Sequence, residues 1–533
     1  MNFLTRIFLS ARNFILIFGA AYLTAKLLQI FDHPVASSLT EIGGALLAMY
    51  FAWDALTYRG GVKSSVADVK ADSANLKKLA KGFDPENYIN LKKGIFLGLD
   101  NNRKPVYYPR HVIDKNHIEI LGESGVGKSS LAGVMLSQLA AAGETVCVFD
   151  PKPDERLPGV LARMGARHNF PVFVLDLRPT AGGPQLNPFY GCRADQVEEL
   201  LQVALELGKT GNSAVDFHRG NDREATSWIA AAVAGDPARG LPDIIAAARR
   251  DERVTAQQYL WRELRELGRV GAFATREKGL DLPALLENSG GCVLYIVGST
   301  TKLEVAAAQK LLLQRVLQVL EDRRDKSKPV ALFLDELKYL LSPAALRAAG
   351  TIRDRNCHLF FAHQSLGDLD DCGGLSPTAV RGAIWGNCGL KFAHKLPDAE
   401  TARQLEAMCG QAAAETLSVT KSSQGESVSK RSEKQAHMAA HIFNHLPKPE
   451  TDEASVCVVI GRGPAFFLST RWIKGGSAPG PVIVSEPDAP IDQEQSAEPQ
   501  ADADTEDAEA AQAPASTTAA DLSDLLRDLT RPR

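Results

Sequence analysis

The chain has 533 residues, 45% hydrophobic and 23% charged, which is room for two or three domains and at least one large core and excludes a wholly disordered protein. Its eight cysteines (Cys147, Cys192, Cys292, Cys357, Cys372, Cys388, Cys409 and Cys457) form no C-x-x-C pair and no ligand spacing with histidine, so they read as reduced core thiols in the cytosol. The net charge of −4 is uneven: from Glu486 onward about 13 acidic residues face three arginines, leaving a mildly basic body of about +6 that is compatible with nucleic-acid contact.

At the start, residues 14–31 are apolar apart from Lys26, Gln29 and a few hydroxyls, and at about 1.5 Å per residue they just cross a hydrocarbon core of about 30 Å. A weaker second span covers 39–56, uninterrupted only from Ile42 to Trp53. Arg6 and Arg12 precede the pair, and Arg59, Lys63, Lys70, Lys77 and Lys78 follow it, so both ends are expected in the cytoplasm. Residues 1–60 thus read as a transmembrane hairpin anchor.

From Asn116, short β-rich runs alternate with helical stretches: 118–121, 145–149, 172–175, Cys292–Val297, Val330–Leu334 and 358–361. The alternation implies a parallel sheet flanked by helices. Directly after the first run stands Gly122-Glu123-Ser124-Gly125-Val126-Gly127-Lys128-Ser129, with Ser130 opening a helical stretch, a full G-x-x-x-x-G-K-[ST] match. Its glycines let backbone N–H groups and the helix N-terminus converge on phosphates, Lys128 reaches the β and γ oxygens, and Ser129 ligates Mg²⁺. The second run ends in Asp150-Pro151-Lys152 at the same sheet edge, where Asp150 either ties a loop down or lines the site.

Between 187 and 286 the strand signal disappears, and 195–207, 221–233 and 255–267 read as amphipathic helices of an all-helical insertion. The strand Val330–Leu334 then delivers Asp335 and Glu336, suited to orient a hydrated Mg²⁺ and to act as general base on water, respectively. One strand later Gln364 is placed to sense a γ-phosphate or hold the water, while His363 beside it reads as structural. Arg353 and Arg355 precede that strand, at an edge from which an arginine finger could reach a neighbouring subunit. Residues 420–434 read as a mobile polar loop, Ser455–Ile460 and 465–468 as closing strands, and 475–520 as a disordered acidic tail before a short terminal helix.

Taken together, the hairpin, the P-loop, the Asp150-Pro151-Lys152 segment, the Leu186-Asn187-Pro188-Phe189 stretch opening the insertion, the Leu334-Asp335-Glu336 strand end, residues 353–369 and residues 387–402 resemble the TraD and TraG type of coupling protein from type IV secretion and conjugation systems. Two departures stand out: Glu123-Ser124 replaces the family's usual Pro or Ala with Thr, and Arg353-Asp354-Arg355 replaces its Ala-Arg-Gly, so the finger role carries onto Arg353 by position relative to Gln364.

The resemblance implies an α/β, RecA-like P-loop ATPase core in two parts (61–186 and 287–474) around the all-α insertion (187–286), beside the anchor and the tail (475–533). It further implies ATP and Mg²⁺ as cofactors and a homo-hexameric ring in the bacterial inner membrane, multi-pass, with its bulk cytoplasmic. Its partners would be sequence-tolerant single-stranded DNA, a relaxase or relaxosome or protein effectors, secretion-channel components and the lipid bilayer. Catalysis falls to Lys128, Glu336, Gln364 and Arg353. A duplex-DNA pump of the chromosome-segregation or HerA-like class, and a docking receptor in which nucleotide only locks assembly, are the competing readings.

Overall fold

Apolar runs from residue 95 onward assemble into one eleven-stranded sheet. The computed structural model describes residues 76–475, apart from 180, 210–212, 288–289, 373–374, 423–424 and 451–452, together with Lys26. The anchor expected over 1–60, but for Lys26, and the tail from 476 lie outside the described residues. Among the described residues no helix is long and apolar enough to cross a membrane.

In chain order β1 (Ile95–Leu99) and β2 (Pro105–Tyr108) form an antiparallel hairpin, and α1 (Arg110–Asp114) leads into β3 (His117–Leu121). Then α2 (Lys128–Ala141), β4 (Thr145–Asp150), α3 (Leu157–His168) and β5 (Val172–Asp176) alternate as the sequence pattern requires. Six helices follow without a strand of the main sheet: α4 (Ala194–Ala204), α5 (Ser213–Val233), α6 (Leu241–Arg250), α7 (Glu252–Thr255), α8 (Gln258–Leu267) and α9 (Leu282–Leu286). The alternation resumes with β6 (Cys292–Val297), α10 (Leu303–Asp322), β7 (Val330–Leu334), α11 (Pro343–Thr351), β8 (Cys357–His363), α12 (Leu366–Asp370), α13 (Pro377–Ile384), β9 (Cys388–Ala393) and α14 (Ala399–Met408). The described part ends with β10 (Gln411–Ser422), β11 (Gly425–Ala436), α15 (Ala440–His445), β12 (Ser455–Ile460) and β13 (Phe466–Thr470).

The strand order is β2-β1-β13-β12-β9-β3-β8-β7-β4-β6-β5. From β9 to β5 every neighbour pair is parallel, and from β9 outward to β2 every pair is antiparallel. Helices cover both faces of the parallel part, so its strands are apolar throughout instead of alternating. Leu294, Ile296, Leu332 and Leu334 pack with the helices of the 187–286 segment. Val293, Tyr295, Ala331 and Phe333 face the opposite way, onto α2 and α3. The helical segment therefore shares a core with one sheet face.

Two segments differ from the expectation. Of residues 420–434, read as a mobile loop, 420–422 and 425–434 belong to an antiparallel ribbon in which β10 and β11 pair in continuous register from Gln411↔Ala436 to Ser422↔Gly425. Backbone pairing satisfies the main chain there without an apolar run in the sequence, and the Thr and Val residues of the segment favour extended structure. Strand β9, unread in the sequence, lies directly beside β3. Lys391 interrupts its apolar pattern, yet that lysine is buried against Glu119 of β3 and donates to the Trp385 carbonyl (2.7 Å). Glu119 in turn accepts from, or shares a proton with, His363 Nε2 at 2.8 Å. Opposite charges and hydrogen bonds thus hold three ionisable groups inside the sheet.

Candidate nucleotide site

All parallel strands end at the same edge, which gathers the loops after β3, β4, β7 and β8. The loop after β3 needs its glycines. Gly122, Gly125 and Gly127 have φ of +146°, +77° and +102°, which side-chain-bearing residues rarely adopt. At Gly127 an added Cβ would stand 2.3 Å from Ser455 Oγ, and at Gly122 it would stand 2.7 Å from His394 Cβ. The loop curls back at once into α2, whose first residue is Lys128. Lys128 is only 8% exposed, and its Nζ donates to the carbonyls of Gly122 (2.6 Å) and Glu123 (3.1 Å). An ammonium beside a glycine loop at a helix N-terminus is an arrangement that can bind phosphate.

The end of β7 brings two carboxylates to this loop. Burial and the nearby Asp150 push the Asp335 carboxyl up to about 7, against the opposing pull of Lys128. Glu336 sits at φ +41°, left-handed for a non-glycine residue, and is 8% exposed. Such strain persists only where the surroundings hold it, and it aims the side chain across the edge. Its Oε2 lies 3.5 Å from Gln364 Nε2, just past the end of β8. Gln364 is itself fixed by its N–H, which donates to Asp368 Oδ2 at 2.8 Å.

Lys128, Asp335 and Glu336 line one cavity of about 840 Å³, together with Ser124, Gly125, Gly127, Ser129 and Ser130 of the loop. That size and donor set fit a magnesium nucleoside triphosphate: cradle and lysine for the phosphates, Ser129 and Asp335 for the ion. Asp150 ties the next loop down. Its carboxylate accepts from the N–H groups of Lys152 (3.0 Å) and Asp154 (2.8 Å) and from the Tyr295 hydroxyl, and burial raises it to about 6. His363 is structural: its carbonyl accepts from the Gly122 N–H (3.2 Å) and its ring bridges the Ser365 carbonyl and Glu119.

Residues 329–448 match the family described as the TraM recognition site of TraD and TraG, and residues 99–154 match the central domain of the helicase HerA. Mobilization protein A of Escherichia coli is 30% identical over 278 residues, 51% of this chain and 50% of that protein, so the chain spans about half the length of the curated relative it matches. The bacterial conjugative coupling protein TrwB, in an unbound form, superposes with a TM-score of 0.53 at 14% identity, over 75% of this chain and 94% of that one. The plasmid coupling protein TrwB in complex with ADP and Mg²⁺ gives 0.52 at 14% identity, over 75% and 95%. Over these stretches the chain is similar to TraD/TraG-type coupling proteins. Its core is the α/β P-loop ATPase-like fold of TrwB.

Within this core one expected site residue stands apart. Arg353 and Arg355 lie in a short 3₁₀ turn before β8, at the amino edge of the sheet, whereas Gln364 follows the carboxyl end of the same strand. A strand of this length separates the two ends by about 20 Å, so Arg353 does not join Lys128 and Glu336 within one chain. Other cavity residues went unread in the sequence. Ser455 Oγ donates to the Val126 carbonyl and lies 3.0 Å from His394 Nδ1, buttressing the loop from β12. Phe83, Arg471, Trp472 and Lys474 close the cavity from opposite ends of the described chain. No local motif marks them; only the antiparallel extension of the sheet brings them there.

Proposed function

We propose that this chain is an ATP-hydrolysing coupling protein of the bacterial inner membrane, which recruits relaxase-bound single-stranded DNA, protein substrates or both to a type IV secretion channel and powers their transfer. The observation that carries the reading is the convergence of Lys128, Asp335 and Glu336 on one cavity beside a glycine loop, with Gln364 Nε2 3.5 Å from Glu336 Oε2. The TrwB complex with ADP and Mg²⁺ supports the ligand, and the mobilization and TraM-recognition relatives support relaxosome partners.

In this mechanism the backbone N–H groups of residues 122–129 and Lys128 would bind the phosphates, and Ser129 and Asp335 would hold the Mg²⁺. Such an ion would supply electrostatic screening of the phosphate charge. Glu336 takes the proton of the attacking water, and Gln364, beside it, orients that water. Arg353 acts from a neighbouring copy, because its place at the opposite sheet edge suits a ring in which one subunit's amino edge meets the next subunit's nucleotide. A hexamer of this kind, anchored by the 1–60 hairpin, presents a basic body to DNA phosphates without reading bases.

The test is steady-state ATPase activity of the parent and of Glu336→Gln, with and without single-stranded DNA, alongside nucleotide binding. The variant is expected to bind ATP as the parent does and to lose turnover by about 10²–10⁴-fold. Equal turnover in the two proteins would remove Glu336 from the chemistry. The HerA-domain match favours a second reading, a duplex-DNA pump. Stimulation by duplex but not by single strands would select it.

A further inference from the structure

At the amino edge of the sheet, away from the nucleotide cavity, three ligand-type side chains from distant parts of the sequence converge. Asp114 ends α1, Glu144 immediately precedes β4, and His358 is the second residue of β8. One ligand atom from each lies within 4.8 Å of the other two. Glu144 and His358 are both fully buried. Among the described residues neither ring nitrogen of His358 has a hydrogen-bond partner, and Asp114 Oδ1 is buried and unpartnered as well. Orphaned polar atoms in such a place cost free energy unless something else satisfies them.

Arg110 does not satisfy them. Its guanidinium lies 2.8 Å from Glu144 Oε1, off hydrogen-bond alignment, and 3.7 Å from Asp114 Oδ2, and it donates to the Ala142 carbonyl at 2.7 Å. It therefore engages one oxygen of each carboxylate and leaves the other, Glu144 Oε2 and Asp114 Oδ1, facing the cluster. His358 Nε2 stands 3.3 Å from Glu144 Oε2. Ligand atoms on a tetrahedron with bonds of about 2.0–2.1 Å are about 3.3–3.4 Å apart, so this pair already spans a tetrahedral edge.

We propose that Asp114, Glu144 and His358 form a divalent transition-metal site of the Zn²⁺ class, with Arg110 as the outer partner that orients both carboxylates. One nitrogen and two carboxylate oxygens suit Zn²⁺ and leave a fourth position for water on the partly exposed Asp114 side. The cation gives the orphaned atoms their partners and clips α1, the start of β4 and the start of β8 together. Through β8 it braces the turn that carries Arg353 and Arg355.

The full chain, stripped with chelator and dialysed against Zn²⁺ without nucleotide, tests this by metal analysis and by the visible spectrum after Co²⁺ substitution. The expected result is about one equivalent per chain, a tetrahedral Co²⁺ band and a rise in Tm on metal addition. All three should be lost in Asp114→Asn and His358→Asn and kept in the His441→Ala, His445→Ala double variant, which removes an exposed histidine pair on α15. Asp114→Asn is the milder of the two changes, and circular dichroism checks that it folds. Metal content and spectrum unchanged in folded Asp114→Asn, or lost with the α15 pair, would overturn the proposal.

Discussion

Substitution of Gly127 by alanine tests the cradle geometry most directly. The residue sits at φ +102° with ψ 20°, and left-handed backbone costs an alanine about 1–2 kcal/mol. The new Cβ would also stand 2.3 Å from Ser455 Oγ and 2.4 Å from Ser455 Cβ, closer than such atoms approach. Ser455 cannot swing aside: it is buried, begins β12 and donates to the Val126 carbonyl. Relief requires the loop to move by roughly 1 Å, and forced overpacking of this kind costs about 1–3 kcal/mol. The sum, about 3 kcal/mol, corresponds to a loss of about a hundredfold in nucleotide affinity, because the loop escapes by leaving the binding geometry. Titration calorimetry with ADP and Mg²⁺ measures it. Pairing Gly127→Ala with Ser455→Gly removes the overlap but not the backbone strain, so about tenfold should return relative to Gly127→Ala alone. Unchanged affinity in the single variant, or no recovery in the pair, would refute the reasoning.

Gln364→Ala should lower kcat by about 10²-fold while nucleotide affinity stays within a few-fold; an equal loss in both would make Gln364 a binding residue. Arg353→Ala should bind nucleotide normally and lose turnover by about 10³-fold, and mixing it with Lys128→Ala protein should restore activity, since each supplies what the other lacks. No recovery on mixing would argue against action between subunits. The Asp335 carboxyl, raised to about 7, must ionise to meet the cation, so affinity for the magnesium nucleotide should fall as pH drops from 8 to 6. For the nucleotide-free protein the sign reverses. A folded-state value above the ordinary carboxylate value means that stability is greatest below about 4 and declines as pH rises toward 7, and Asp335→Asn should flatten both profiles. Arg239, fully buried, donates to the carbonyls of Cys192, Val233, Ala234 and Asp236, and Arg239→Ala should cost about 3 kcal/mol, read as a lower Tm with the nucleotide site intact.

Local chemistry settled much of this protein before any folding was considered. The phosphate loop at 122–129, the carboxylates at the end of Val330–Leu334 and the amide after the next strand are each written in a few adjacent residues, because a strand, its turn and its helix start are short-range features. The parallel strands other than β9 were legible for the same reason: strands buried on both faces are uniformly apolar. Strand β9 escaped because its burial of Lys391 depends on Glu119, 272 residues away. The β10–β11 ribbon escaped because its hydrogen bonds join backbone to backbone whatever the side chains. Only the tertiary structure decided that Ser455 buttresses the loop, that Arg353 lies at the far edge from Glu336, and that Asp114, Glu144 and His358 meet. Those juxtapositions arise from strand order and the direction of each strand, which link residues far apart in the chain and leave no trace in any one stretch of it.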